Sequence, residues 1–282
     1  MTSTRKERFR IKAVTFDLWE TLLFDKDGAD LERKTIRCNQ LCQVLRKSGW
    51  NISVKQVETA LGQTNSSLMK IWDQNLDVPH VEMIRIFLKH ASQGKVTLRN
   101  PSLNSVSRAY ISVLHDVPPY VNPDAVETLQ WLEKENMRVG IICNTGLTPG
   151  TELRKLLTNE RIAQHFKIML FSNEIGIRKP DKKIFDLAAQ MLNVRPQEMI
   201  HIGDNLKTDV YGAKNAGYHA IHLSSTQGRD HTAEADAQSL VSLSRNLGTL
   251  TAQETQPDKS IQSLSEMKKT IREIEASTKP AK

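Results

Sequence analysis

The sequence predicts an α/β protein: a parallel sheet flanked by helices, with an all-helical subdomain inserted after the first strand. Three observations lead there. Residues 11–16 are a short run of Ile, Val and Phe, the composition of a strand covered on both faces, and the run ends at Asp17. Residues 29–115 then show helical spacing and no convincing strand. Between residues 137 and 223 strands and helices alternate, which implies βαβ units and right-handed crossovers.

Each element has a local reason. Asp25-Lys26-Asp27-Gly28 is a turn-forming cluster. Leu31, Cys38, Leu41, Cys42 and Leu45 recur at helical spacing up to Ser48-Gly49. Ser53 and Gln56 form a capping box opening a second helix, with Val54, Val57 and Leu61 on one face. Further helices are expected over residues 68–76, 79–90 and 101–115, with Trp72, Met83, Phe87 and Tyr110 as core. Pro118-Pro119 and Asn122-Pro123 mark the return. Asn122 suits an N-cap and Pro123 a first helical position, for a helix reaching residue 135. Strands follow at 137–143, 167–171, 199–202 and 218–223, and helices at 148–157, 182–192 and 208–216. The first strand must join this sheet, because a lone strand would leave its backbone groups unpaired. Beyond residue 248 the composition turns polar. Ile261, Leu264, Met267, Ile271 and Ile274 then restore an amphipathic pattern over 260–277. The expected organisation is an α/β core from 1–24 and 118–250, a helical unit at 25–117, and a polar linker with a C-terminal amphipathic helix at 251–282.

Composition narrows the classes. Of 282 residues, 39% are hydrophobic and 25% charged, as in a soluble globular protein, and no apolar stretch is long enough to cross a bilayer. A cytoplasmic protein with no membrane partner is expected. Cys38, Cys42 and Cys143 have neither zinc-site spacing nor the even count of a disulfide framework. Much of the formal +7 charge lies in an N-terminal arm, where Arg5, Lys6, Arg8, Arg10 and Lys12 face only Glu7; it reads as a solvated tail. Basic residues are not interleaved with aromatics, so no nucleic acid partner is expected. The positive balance favours an anionic small-molecule substrate. Monomer and homodimer both remain open.

The chemistry gathers where strands end. The first strand ends at Asp17, and the second in Cys143-Asn144-Thr145-Gly146, whose small groups leave backbone N–H free for an anion. After the third comes Lys179, just before Pro180. The fourth ends in Gly203-Asp204-Asn205, with Asp209 five residues past Asp204. In a parallel sheet all four ends share one edge. Three carboxylates and a lysine there suggest a hard cation such as Mg²⁺ held beside a phosphate.

This order of motifs resembles the haloacid dehalogenase-like hydrolase superfamily. The resemblance rests on Phe-Asp-x-x-x-Thr-Leu at 16–22, Arg-Lys-Pro-Asp at 178–181, His-Ile-Gly-Asp-Asn-x-x-x-Asp at 201–209 and Gly-Ala-Lys-Asn-Ala-Gly at 212–217. It covers residue 11 to about residue 243. It implies a Rossmann-like parallel sheet core with an inserted all-α cap subdomain. It further implies that Asp17 is a nucleophile forming a covalent aspartyl intermediate, with Lys179 neutralising it and the transferring group. Mg²⁺ would be bound by Asp17, Asp204 and the backbone carbonyl of Trp19, while Asp209 supports the metal or holds Lys179. Asn144 and the amides of Thr145 and Gly146, beside Cys143, would hold phosphate oxygens.

Two positions depart from the superfamily's phosphatases. Two residues after the nucleophile they carry a second Asp as general acid and base, and here that residue is Trp19, whose indole offers only an N–H donor. Cys143 stands where Ser or Thr is usual. Haloacid dehalogenases carry an aromatic residue at the Trp19 position but usually lack the acid corresponding to Asp204. The leading expectation is a Mg²⁺-dependent hydrolase acting on a small phosphorylated metabolite, or one with another good leaving group. The alternatives are a 2-haloacid dehalogenase-like carbon–halogen hydrolase and a low-activity phosphate- or metal-binding regulatory protein. Thr21 is expected to hydrogen-bond within the turn after Asp17, the Glu20 side chain to point away from the site, and His201 to be a core histidine.

Overall fold

A computed structural model describes residues 9–93, 101–224 and 250–278. The basic arm through Arg8, and residues 225–249 of the expected core, lie outside the described residues.

The apolar run before Asp17 forms β1 (Ala13–Phe16), all four residues buried. On one side it pairs in parallel with β4 (Arg138–Cys143), which pairs with β5 (Ile168–Phe171), followed in the chain by the one-turn helix α8 (Ser172–Ile175). On the other it pairs with β6 (Met199–Gly203), followed outward by β7 (His219–Leu223) and β8 (Lys259–Ile261). The order β5-β4-β1-β6-β7-β8 is parallel throughout, so β1 lies where the winding reverses. Ligands of such sheets bind at that crevice, outside the carboxyl ends of the strands. This is the Rossmann-like α/β sheet expected from the alternation.

Both faces are covered. One packs Val14, Phe16, Ile141 and Ile200 against α6 (Ala125–Lys134), α7 (Gly150–Asn159) and the C-terminal α11 (Met267–Ser277). The other packs Ala13, Ile142 and Met199 against α9 (Lys182–Leu192) and α10 (Gly212–Asn215). Each fully buried Leu, Ile or Phe here is worth about 1.5–3 kcal/mol relative to exposure.

Between β1 and β4 the chain leaves the sheet through β2 (Leu23–Phe24) and returns through β3 (Tyr120–Val121), which pair antiparallel. This ribbon has no counterpart in the sequence reading, because two residues per strand carry no measurable periodicity. The helices beyond it are α1 (Ala29–Lys47), α2 (Val54–Trp72), α3 (His80–Ala91), α4 (Leu103–Ile111) and α5 (Val113–Asp116). Cys38, Leu41, Leu45, Val57, Leu68, Phe87 and Tyr110 form their own buried cluster. Both halves of the Ser53–Gln56 capping box are made.

Three local expectations are corrected. Leu31 is 68% exposed and Val54 39% exposed, although Cys38, Leu41, Cys42, Leu45, Val57 and Leu61 are buried as expected; in the first half of α1 the buried residues are Ala29, Arg33 and Arg37. Counting arginine as polar hid the two arginines, whose stems bury like aliphatic chains. The stretch after Asn205 opens as a π-helical turn, Leu206–Tyr211, before α10. Residues 259–261, expected in a linker and helix, instead add β8 to the sheet edge, and the helix starts only at Met267. Asp258 holds that strand: its carboxylate accepts from the Ala220 N–H and from Lys214 Nζ, both at 2.8 Å.

Candidate active site

The site begins at the end of β1. The Asp17 N–H donates to Ile202 O on the neighbouring strand, so the backbone carrying this acid is tied to the sheet. The chain then turns tightly through residues 18–23, where the amides of Leu22 and Leu23 return to Leu18 O. Glu20 takes φ 54° in that turn, a left-handed conformation that non-glycine residues seldom hold.

Lys179 is the buried centre of the polar cluster. Its ammonium sits 2.8 Å from Asp17 Oδ1 and 2.7 Å from Asp209 Oδ1. The Asn144 amide holds the lysine's backbone, accepting from Lys179 N–H at 2.8 Å and donating to Lys179 O at 2.9 Å. Asp209 also accepts from the Asn205 N–H at 3.0 Å and lies 3.2 Å from His201 Nε2. Thr15 Oγ1 meets the other imidazole nitrogen at 2.9 Å. With Asp209 ionised, Nε2 carries the proton and Nδ1 accepts from Thr15. Gly203 is required here, because a Cβ on it would lie 2.3 Å from Asp209 Cγ.

The charges set one another. Burial pushes the Asp17 carboxyl up to about 6, with Asp209 adding to the rise and Lys179 opposing it. Burial, then Asp209, Asp17 and Glu20, holds Asp204 well above the usual carboxylate range. For Asp209 burial acts the same way, but Lys179 and His201 outweigh it and keep the group below its ordinary range. Burial works against the Lys179 ammonium too, and Asp17 and Asp209 overcome it, so its pKa rises. Burial pushes the Cys143 thiol up, and Asp17 adds to the effect.

Asp17, Asp204 and Asp209 each place a carboxylate oxygen within 4.8 Å of the others. Lys179 neutralises one charge of the three, and among the described residues no cation is paired with Asp204. An excess of negative charge on clustered oxygen donors is the donor set of a hard divalent cation. The residues fit one.

Next to this cluster lies a cavity of about 810 Å³, lined by Trp19, Glu20 and Asn144 from its loops and not by the three acids or Lys179 themselves. Its floor is made by the loops after β1 and β4, through Trp19, Glu20, Asn144, Gly146 and Thr148, and its far wall by α1 and α2. The sequence-picked residues therefore divide. Asp17, Lys179, Asp204 and Asp209 come together, Asn144 braces Lys179, and Trp19 and Gly146 face the cavity. Thr145 differs from expectation: it is buried, and its N–H donates to Ser172 Oγ at 2.8 Å, so that amide is not open to an anion. Glu20 lines the cavity rather than turning away, because the left-handed backbone redirects its side chain. The Thr21 hydroxyl is buried without a hydrogen-bond partner among the described residues, contrary to the expected turn bond. His201 is buried, yet it contacts Asp209.

Sequence reasoning missed a second polar knot. Asp77, in the loop between α2 and α3, accepts from Arg178 Nη1 at 2.6 Å, Ser172 Oγ at 2.5 Å and Trp72 Nε1 at 3.1 Å. Arg178 also lies over the Trp72 ring at 4.4 Å. Arg178 was visible in its motif, whereas nothing local marks Asp77, whose partners Ser172 and Arg178 lie 95 and 101 residues away.

The family model for haloacid dehalogenase-like hydrolases matches residues 11–217. The chain belongs to this family of hydrolases. The glyceraldehyde 3-phosphate phosphatase of Pyrococcus furiosus is 39% identical over 217 residues, which span 75% of this chain and 80% of that protein. Among solved structures, a 2-haloacid dehalogenase from Pseudomonas syringae superposes with a TM-score of 0.63 at 22% identity, covering 94% of this chain and 99% of that one. An HAD phosphatase from Thermococcus onnurineus gives 0.57 at 22%, covering 92% and 97%. These two likenesses establish a shared fold. As a member of the family, this hydrolase brings Asp17, Asn144, Lys179 and Asp204 together at the carboxyl edge of one parallel sheet.

Proposed function

We propose that this HAD-like hydrolase is a Mg²⁺-dependent phosphatase of small phosphorylated metabolites. The observation that carries the reading is the three-carboxylate cluster with Asp204 unpaired by any cation among the described residues, which suits a divalent cation beside a phosphoryl group. The phosphatase named for the Pyrococcus furiosus relative supports the same choice. Asp17 is the nucleophile: its carboxylate oxygen attacks phosphorus, the bond to the leaving oxygen breaks, and an aspartyl phosphate forms. Lys179 holds Asp17 at 2.8 Å and offsets its charge against the incoming anion. Asp209, gripped by Lys179 and His201, keeps the lysine in place. Asp17, Asp204, Asp209 and the Trp19 carbonyl would hold Mg²⁺, which when bound neutralises charge on the phosphoryl oxygens. Water then cleaves the aspartyl phosphate. The helices α1–α5, inserted between the first two motifs, are the cap over the site, joined to an α/β core formed by the chain on either side.

Trp19 sets the substrate's chemistry. No carboxylate stands two residues after Asp17 to protonate the leaving oxygen, so the reaction favours esters or anhydrides whose leaving group departs without help. The decisive measurement is phosphate release from a panel of phosphomonoesters and acyl phosphates, with Mg²⁺ and with EDTA. Release should need Mg²⁺ and fall at least about a thousandfold in Asp17→Asn. Halide release from 2-chloroacetate without metal would instead establish the dehalogenase reaction.

A further inference from the structure

Four basic side chains line the cavity, and three have acidic partners. Arg33 grips Asp25 through Nη1 at 2.6 Å and Nη2 at 2.5 Å, with Nε donating to Val117 O at 2.8 Å. Lys34 meets Glu58 at 2.7 Å, and Arg178 meets Asp77 at 2.6 Å. Arg37 is the exception. It is one turn along α1 from Arg33 and only 6% exposed. Its Nε donates to Tyr110 O at 2.9 Å, and its guanidinium lies 5.1 Å from the centre of the Tyr110 ring. Among the described residues no acceptor meets Nη1 or Nη2, and no carboxylate pairs with it. Asp30, the acid on the preceding turn, is directed to Arg33 at 3.7 Å.

A buried guanidinium with its two terminal nitrogens open is costly to keep, because desolvation is not offset by a counter-charge. Burial duly lowers the pKa of Arg37. The two nitrogens form a fork suited to a carboxylate or phosphate. The cavity, about 810 Å³, is large enough for a small metabolite to span from the core loops to α1.

We propose that Arg37 anchors a second anionic group on the substrate, so that this cavity selects small phosphate compounds bearing a further oxyanion remote from the reacting phosphoryl group. The proposal rests on the phosphatase reading above for the orientation of the ligand, and Arg37 is a specificity residue, not a catalytic one.

The test separates the two ideas by measuring binding without turnover. Calorimetric titration of the full-length Asp17→Asn protein with Mg²⁺ compares phosphoglycolate and propane-1,3-diol bisphosphate with ethyl phosphate, which lacks the second anion. At least one of the two ligands bearing a second anionic group should bind about 10- to 100-fold tighter than ethyl phosphate, the range expected for charge-assisted hydrogen bonds. The tighter of the two identifies whether carboxylate or phosphate is the natural group. Adding Arg37→Met should abolish the preference, and Arg37→Lys should restore part of it. Equal affinities for all three ligands with Arg37 intact would overturn the proposal, whatever the variants do. So would a preference that survives Arg37→Met with only the melting temperature lowered, the mark of a purely structural arginine. If the wild-type enzyme releases no phosphate but the Arg37-dependent preference holds, the reaction assigned above fails and the anion subsite stands.

Discussion

In the mechanism proposed above, Trp19 decides which leaving groups are accepted. It lies in the tight turn after Asp17, so its backbone carbonyl would serve the cation while its side chain supplies no acid to the leaving oxygen. Trp19→Asp should therefore raise kcat on simple alkyl phosphates by about 100- to 10 000-fold and change acyl phosphate turnover much less. Steady-state kinetics on both classes reads this directly. Lys179 is the other residue whose role is decided by its immediate surroundings. Replacing it by Met leaves Asp17 and Asp209 buried without their common cation. That should destabilise the fold by about 3–5 kcal/mol at pH 7 in EDTA, measured by urea denaturation, with Mg²⁺ recovering part of the loss. Protonation replaces the missing cation, so the deficit should shrink as the pH falls.

The element whose contribution was least visible is the C-terminal strand and helix. β8 closes the sheet edge over β7, and Leu264, Met267, Ile271 and Ile274 complete the core on the α6 face. Asp258 ties this segment in. Burial would raise its carboxyl, but the His219 imidazole 3.8 Å away, together with hydrogen bonds from Lys214 and the Ala220 N–H, outweighs it and holds the pKa below the ordinary range. A depressed carboxylate contributes stability that is present above its unfolded pKa of about 3.9 and lost as the pH falls through the folded value. Protection factors at Ala220 and across β8, taken relative to the slower intrinsic exchange at low pH, should fall below about pH 4. Asp258→Asn should show the lower protection, and so faster exchange, at neutral pH. Exchange rates in the variant equal to those of the wild type at pH 7 would refute this anchoring role.

Across the whole molecule, the helical layer and the sheet meet through Asp77. This carboxylate is 8% exposed and joins a loop of the helices to Arg178 and Ser172, which precede Lys179 in the chain. Backbone contacts add to the junction: Asp77 N–H donates to Gly176 O at 3.1 Å and Arg178 N–H to Asn75 O at 2.9 Å. The helices therefore bear on the same loop that presents the lysine. Asp77→Ala leaves Arg178 buried without its partner, which should cost about 3–5 kcal/mol. If the junction couples the two layers, calorimetric melting should broaden or split. A single sharp transition at the wild-type temperature would show that the ion pair does not hold them together.

Much of this was legible beforehand because it depends on local pattern. Alternating apolar runs and helical periods specify the parallel sheet, and a parallel sheet places every strand's carboxyl end on one edge. Asp17, Lys179, Asp204 and Asp209 could therefore be grouped before any distance was known. The short β2–β3 ribbon and β8 were not readable, since two or three residues carry no period and their pairing partners are remote. Nor was the burial of Arg33 and Arg37, because hydropathy ranks arginine as polar regardless of its stem. The Thr145 amide looked free until Ser172, 27 residues on, was seen to accept from it. The sequence by itself determined which chemical groups lie at the strand ends. Only the tertiary structure decided which of them are already satisfied by one another and which remain open to a ligand, because that depends on partners brought together from distant parts of the chain.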